Sequence, residues 1–356
     1  MEYDYPLLNK VFAHYKKSGK EVDDIYLVCC QHLLEPQLKM FELFIDFGFK
    51  PDHIPVLGKI YSANSSVIDE LIDLGIKVSL PPFSGKPFDE EHSYNCKVVA
   101  ASIPLDKKVI ILDDGAEMIR AFIDSKHQVL FAVEQTSSGF RKLENINAPF
   151  AIINVARSAT KLTQESPIIA RLCYERITTY IQSRDISNPS ILIVGLGPIG
   201  EGVYEIFGQN NFIVEGFDIK LGHKDLLSII HKSKPDIIVG ATGASILSVD
   251  EIEKMPSDKT FHLISVSSSD REFPVANFRN HKDNAGTYAD VQYKNIVFVN
   301  NGFPITFKGN RNELVPIEIE KTVCLLGGAV LDGVINRAEK TGLVNVSEGL
   351  EQLINQ

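Results

Sequence analysis

The stretch Ile191-Leu-Ile-Val-Gly-Leu-Gly-Pro-Ile-Gly-Glu-Gly202 sets glycines at 195, 197 and 200 directly after an apolar run. That spacing reads as a strand turning tightly into a helix. Gly195 permits the turn, Gly197 lets the backbone approach a pyrophosphate, and Gly200 lets helix and strand pack closely; Pro198 and Ile199 lie within the same turn. Free N–H groups and the positive dipole at such a helix start suit phosphate oxygens. A second apolar run, Phe212-Ile-Val-Glu-Gly-Phe217, closes at Asp218. An acid at that distance accepts hydrogen bonds from adenosine ribose hydroxyls and disfavours a 2′-phosphate, which argues for NAD over NADP. The alternative is a turn that serves strand–helix packing and binds nothing.

Other polar residues fall at the ends of apolar runs, where the strands of an α/β layer face a ligand crevice. His32 follows Ile25–Cys30, and a structural imidazole is its competing explanation. Lys108-Val-Ile-Ile-Leu-Asp-Asp-Gly115 finishes in two carboxylates, Asp113 and Asp114. Gln128–Val133 leads into Glu134-Gln-Thr-Ser-Ser-Gly139, whose hydroxyls at Thr136, Ser137 and Ser138 suit an acceptor-rich ligand or cap a following helix. Asp236–Val239 runs into Gly240-Ala-Thr-Gly243, and Phe261–Val266 into Ser267–Ser269. These two ends, with Thr242 and Gly243, are expected to border the nicotinamide half of the cofactor.

Apolar runs of strand length alternate with helical spacings along the chain, which means parallel sheets with helices on their faces. Strands are expected at 25–30, 53–58, 76–80, 108–113, 128–133, 151–155, 191–194, 212–217, 236–239, 261–266 and 296–299. Helices are expected at 36–47, 65–74, 165–182, 199–208 and from about 316 to 338. Pro81 to Asn95 reads as a loop whose Asp89-Glu-Glu-His92 is a solvated face. Ser183–Pro189 reads as the hinge into the dinucleotide domain.

With 356 residues, 44% of them hydrophobic, two domains are expected. The fold class is α/β: a Rossmann-type NAD domain with a parallel sheet at 184–312, and a second α/β substrate domain at 1–183. Residues 313–356 form a hinge helix and a return to that domain. A net charge of −10 argues against nucleic acid or an anionic membrane as partner. No apolar run reaches the roughly 18 residues of a membrane span, and the first five residues lack the basic start of a signal peptide, so a cytoplasmic location is the default expectation. Five cysteines without a C-x-x-C pair signal neither a disulfide framework nor a zinc site, and buried thiols are expected.

Several stretches, in this order, resemble the S-adenosylhomocysteine hydrolase family: Cys29-Cys-Gln-His32, Ile111-Leu-Asp-Asp-Gly115, Glu134-Gln-Thr-Ser-Ser-Gly139, Ile153-Asn-Val155 with Ser158-Ala-Thr-Lys161, and the glycine turn at 195. The likeness spans roughly residues 25 to 335. It implies a split substrate domain around an NAD domain, tightly held NAD, and a homo-oligomer, dimer or tetramer. The family oxidises a ribose 3′-hydroxyl with NAD⁺, removes the acidified 4′-proton, eliminates a thiol, adds water and returns the hydride. Carried over, Asp114 becomes the proton-transfer acid, Lys161 the lysine beside the 3′-hydroxyl, and His32 the histidine near the leaving group. Thr136, Ser137 and Ser138 match a threonine trio that contacts NAD.

The chain departs from the pattern at the reacting end. The family's ribose-holding glutamate is Gln135, which can hold a hydroxyl but lends no negative charge. Its Asp-Asn pair after the lysine is Glu165-Ser166, and Glu165 can serve beside Lys161 if a helix begins that early. Its nicotinamide histidine falls among Ser267–Ser269. Leu34 and Pro36 replace a threonine and a glutamine, and Lys308–Glu313 replaces a Gly-His-Pro-Ser stretch. The sequence ends at Gln356 without the family's neighbour-reaching arm, from which faster NAD exchange is expected. The resemblance thus implies an NAD-dependent enzyme that oxidises a hydroxyl of a nucleoside thioether or related small molecule, with retuned chemistry. A net NAD-dependent dehydrogenase and a catalytically silent NAD-binding homologue are the alternatives.

Overall fold

The computed structural model describes residues 3–222, 225–279, 286–336 and 340–356. Two compact units emerge: Met1–Pro82, His92–Glu165 and Gly309–Gln356 form the first, and Phe83–Glu91 with Ser166–Lys308 form the second. The division falls at Glu165 rather than at 183. The helix after it packs on the second unit's core, with Ala170, Cys173 and Ile177 clustering with Val203 and Phe207.

In chain order the elements are α1 (Pro6–Lys16), β1 (Ile25–Leu33), α2 (Glu35–Phe47), β2 (Val56–Ala63), α3 (Ser65–Asp73), β3 (Val78–Ser79), α4 (Phe88–Ser102), β4 (Lys108–Asp113), α5 (Glu117–Ile123), β5 (Gln128–Glu134), α6 (Ser137–Leu143) and β6 (Ala151–Asn154). They continue as α7 (Ser166–Ser183), β7 (Ser190–Val194), α8 (Pro198–Gln209), β8 (Ile213–Phe217), α9 (Leu226–Ser233), β9 (Ile237–Gly240), α10 (Val249–Glu253), β10 (Phe261–Ser265), β11 (Val291–Tyr293) and β12 (Ile296–Phe298). The chain returns to the first unit through α11 (Pro316–Asn336), β13 (Gly342–Asn345) and α12 (Glu348–Asn355). The end of the run expected to reach Ala338 lies outside the described residues.

The first unit's sheet is parallel throughout, in the order β13-β6-β5-β4-β1-β2-β3. Both faces are covered, which is why its central strands are apolar at every position rather than at alternate ones. Leu27, Ile110, Leu112 and Val133 face one core with Phe12, Phe41 and Val323; Val28, Ile111, Ala132 and Ile152 face another with Met118, Phe122 and Leu143. The second unit's sheet runs β11-β12-β10-β9-β7-β8, parallel except for the β11 edge.

Three expectations are corrected. The stretch read as a loop to Asn95 contains α4 from Phe88 onward. Asp89, Glu90 and Glu91 favour its positive N-terminal end, and Cys96, Val99, Ala100 and Ile103 sit at helical spacing on a buried core. His92, assigned to a solvated face, is 5% exposed. The strand expected at 53–58 starts at Val56, beyond Pro55, and runs on through Lys59 to Ala63. A proline cannot donate to the ladder, so the pairing begins after it. The strand expected at 76–80 pairs only over Val78–Ser79.

Candidate functional site

In the first sheet β1 lies between β2 and β4. The chain winds outward from β1 to β3 on one side and from β4 to β6 on the other, so a topological switch point, where such sheets open a ligand crevice, falls at the carboxyl ends of β1 and β4. His32 and Asp114 meet there: His32 Nε2 is 3.1 Å from Asp114 Oδ2, and His32 Nδ1 is 2.5 Å from Ser62 Oγ. The imidazole remains 15% exposed while Asp114 and Ser62 are buried. A carboxylate only accepts, so Nε2 carries the ring proton, and in the neutral ring Nδ1 accepts from Ser62.

Lys59, which the sequence alone does not single out, completes this group. Its buried ammonium donates to Asp114 Oδ1. Burial alone would raise the Asp114 pKa, but the Lys59 charge and His32 outweigh it and hold the carboxyl well below its usual range. The pair acts reciprocally: burial works against the Lys59 charge, and the Asp114 carboxylate more than restores it. The signal in the sequence was a lysine inside an otherwise apolar run, visible only once the strand extends past Gly58.

Two further carboxyls lie buried on β4 and β5. Asp113 Oδ2 accepts the Ile119 N–H at 2.8 Å, and Oδ1 meets no partner among the described residues. Burial first, with the negative charge of Asp114 adding to it, pushes its pKa up to about 6. Glu134 accepts N–H groups of Gly115, Ala116 and Thr136 and the Thr136 hydroxyl. Burial, then the charge of Asp113, pushes it up to about 8. Gly139 makes room for it, since a Cβ there would lie 2.1 Å from Glu134 Oε1. Beside them, Cys30 Sγ is 3.0 Å from His92 Nε2, and its contact with Cys96, together with burial, pushes the thiol up. All five cysteines are buried and free.

Thr136 caps α6, its hydroxyl accepting from Gly139 N at 2.9 Å and standing 3.2 Å from Ser138 Oγ, while Ser137 is exposed. Gln135 Oε1 and Asn154 Oδ1 are buried at the ends of β5 and β6 with no hydrogen-bond partner among the described residues. Lys161 and Glu165 share one π-helical turn, which brings Lys161 Nζ to 3.0 Å from Glu165 Oε2. Glu165 also accepts from Thr322 Oγ1 of α11 at 2.6 Å. The turn's start is tied to α12: Glu351 accepts from Ala159 N at 2.9 Å and from Thr160 Oγ1 at 2.5 Å.

In the second unit the switch point falls at β7, between β8 and β9, where the glycine turn lies. Gly195 holds φ +94°, which favours glycine, and a Cβ there would lie 2.7 Å from Thr242 Cγ2. A Cβ at Gly200 would lie 1.9 Å from the Gly195 carbonyl oxygen, whereas nothing stands within 4 Å of the corresponding position at Gly197. Gly197 is the N-cap of α8, and Pro198 and Ile199 begin that helix. This cradle fits a dinucleotide pyrophosphate: it is tight where the backbone turns and open where phosphate must approach. Asp218 Oδ2 accepts the Leu196 N–H at 2.8 Å and Oδ1 the Lys220 N–H at 2.8 Å, and each carboxylate oxygen has a second lone pair of the kind to which ribose hydroxyls donate. Glu272, absent from the sequence expectations, accepts the Thr242 N–H at 2.6 Å and the Gly243 N–H at 3.0 Å. Among the described residues no cluster of three His, Cys, Asp or Glu is arranged to hold a metal, and no helix is long and apolar enough to cross a membrane.

Two wound sheets, one of them carrying this glycine turn, define an α/β protein of the Rossmann class. Two curated proteins of Mycobacterium tuberculosis match it at 30% identity over 346 residues, 92% of this chain and 67% of theirs: uncharacterized protein MT0113 of strain CDC 1551 / Oshkosh and uncharacterized protein Rv0104 of strain ATCC 25618 / H37Rv. The chain belongs to the family of these proteins. No protein-family model matches it. Among solved structures, a dipicolinate synthase from Bacillus halodurans is 14% identical with a TM-score of 0.37, covering 70% of this chain and 84% of that one. A 2-hydroxyacid dehydrogenase from Ketogulonicigenium vulgare is 13% identical with a TM-score of 0.38, covering 82% and 98%.

Proposed function

We propose that this protein is an NAD-dependent enzyme, similar to S-adenosylhomocysteine hydrolases, that oxidises a hydroxyl of a nucleoside thioether or related small molecule. The observation that carries it is the His32–Asp114–Lys59 group at a switch point, in a chain that also bears the Gly195–Gly200 cradle. The cradle, with Asp218, holds NAD, and Thr242 and Gly243 line the same strand ends. Bound NAD supplies the hydride acceptor. Lys161 takes the hydroxyl proton, and Glu165 stabilises the ammonium so formed. Gln135 and Asn154, whose oxygens are unpaired among the described residues, accept hydrogen bonds from substrate. Thr136 to Ser138 line the adjoining turn. The protein works as a homo-oligomer.

The same geometry changes the role expected for Asp114. A carboxylate held ionised by Lys59 orients His32 instead of carrying protons, so proton transfer at this end passes to His32. That favours, as second reading, a net dehydrogenase with no proton removal beyond that of the hydroxyl.

The test is to incubate the protein and NAD⁺ with S-adenosylhomocysteine, adenosine and related nucleosides, following nicotinamide absorbance and products by mass spectrometry. Product without accumulating NADH supports the hydride-returning cycle; accumulating NADH supports the dehydrogenase. Turnover unchanged in Lys161→Ala overturns the assignment of the base.

A further inference from the structure

We infer that Glu272 is a positioning residue of the dinucleotide cradle, holding the end of β9 as the wall on which the glycine turn is built. The inference rests on the NAD reading above. Glu272 is fully buried, and it spans two strand ends. Oε1 accepts from Thr242 N and Gly243 N, with Thr242 Oγ1 at 3.2 Å, while Oε2 accepts from Ser265 Oγ at 2.8 Å at the end of β10. The adjacent segment Ala241–Thr242 is what both cradle glycines touch. A Cβ on Gly195 would meet Thr242 Cγ2 at 2.7 Å and the Ala241 carbonyl at 3.0 Å, and one on Gly200 would meet Ala241 Cβ at 3.1 Å. A shift of Thr242 is therefore transmitted directly into the turn that receives the pyrophosphate.

The carboxylate is built in from both sides. Gly240 has no side chain where one would collide, since a Cβ there would lie 2.7 Å from Glu272 Oε2. The loop that delivers Glu272 is anchored by its neighbours: Ile246 N donates to the Glu272 carbonyl at 3.0 Å, and Asp270 forms a buried pair with Arg279 at 2.6 Å. Ser269 in that loop holds φ +63°, a conformation that persists only where the surroundings impose it. Two adjacent N–H groups facing one point would otherwise form an anion-binding nest. Here the chain's own carboxylate fills it, so the cofactor's phosphates are left to the β7 turn.

The experiment is calorimetric titration of NAD into wild type, Glu272→Ala, Glu272→Gln and Gly240→Ala, with thermal unfolding of each. Glu272→Ala is expected to weaken NAD binding by about tenfold or more, because two buried N–H groups lose their acceptor. Glu272→Gln stays within about threefold of wild type, since the amide oxygen still accepts both N–H groups and its NH₂ donates to Ser265. Gly240→Ala, which displaces the carboxylate without removing it, weakens binding like Glu272→Ala and decides the matter should that variant fail to fold. Folded Glu272→Ala and Gly240→Ala that bind NAD as wild type does overturn this inference alone. Wild type that binds no NAD overturns the cofactor reading and this inference with it.

Discussion

The carbonyl oxygen of Gly195 occupies the space a side chain on residue 200 would need, with only 1.9 Å to an ideal Cβ, while the space beside Gly197 is empty. One glycine of the turn is thus required by the fold and another by whatever approaches it.

Gly200→Ala is expected to lower the thermal stability of the protein and abolish NAD binding, because backbone must move to relieve the overlap. Gly197→Ala should melt like wild type yet bind NAD about tenfold or more weakly, since its methyl group points where the pyrophosphate comes closest. Equal effects of the two substitutions on melting would contradict the division of roles.

Lys59→Met removes the cation from a buried pair and is expected to cost about 3–5 kcal/mol in urea unfolding, because it leaves Asp114 buried with His32 as its remaining ion-pair partner among the described residues. Lys59→Met combined with Asp114→Leu should recover much of that loss. A double variant no more stable than the single would show that the charge pair is not the source.

Stability against pH has two limbs of opposite sign. Asp114 is depressed on folding, so its contribution is present above the unfolded value of about 3.9 and is lost as pH falls towards its depressed folded value. Asp113 and Glu134 are raised to about 6 and about 8, so the folded state holds their protons more tightly and stability declines as pH rises from about 4.5 to 8. Asp113→Asn keeps the acceptor for Ile119 and removes the charge, so denaturation midpoints measured from pH 5 to 8 should flatten. An unchanged slope would exclude this pair as the origin.

Glu351→Ala removes the acceptor for Ala159 N and Thr160 Oγ1, whereas Leu350 and Ile354 still dock α12 on its core. Amide hydrogen exchange across residues 159–165 is expected to speed up by about tenfold with little change elsewhere. Uniform acceleration over the first unit would instead mean that α12 had detached.

The sheets and the glycine turn were legible because their causes are local: apolar runs of strand length, glycines at fixed offsets, an acid closing the second strand. His32 and Asp114 were found for the same reason, each lying at a strand end. Lys59 was not, because Pro55 and Gly58 both suggest an early end to β2, and only pairing with β1 carries the strand on to Ala63. α4 was missed because its exposed Tyr94 and Val98 blur the helical period, and its acids read as a solvated run. Glu272 has no local signature at all. Its importance comes from a missing side chain at Gly240, thirty-two positions earlier in the sequence.

The assignment of Phe83–Glu91 to the second unit bears on how the protein is made. Arg279 grips that segment through the carbonyls of Gly85 and Lys86, so a ribosome must release residues 83–91 early and the unit that claims them much later. The first unit waits longer still, since α11, β13 and α12 emerge after the whole of the second and supply Val323, Val330 and Leu350 to its core. Its opening strands must therefore be held unfinished while the second unit is being made, and excising 166–308 as a fragment would deprive that unit of its own early segment. The first unit closes only after α12 has left the ribosome, so the chain's two halves do not mature in the order in which they begin.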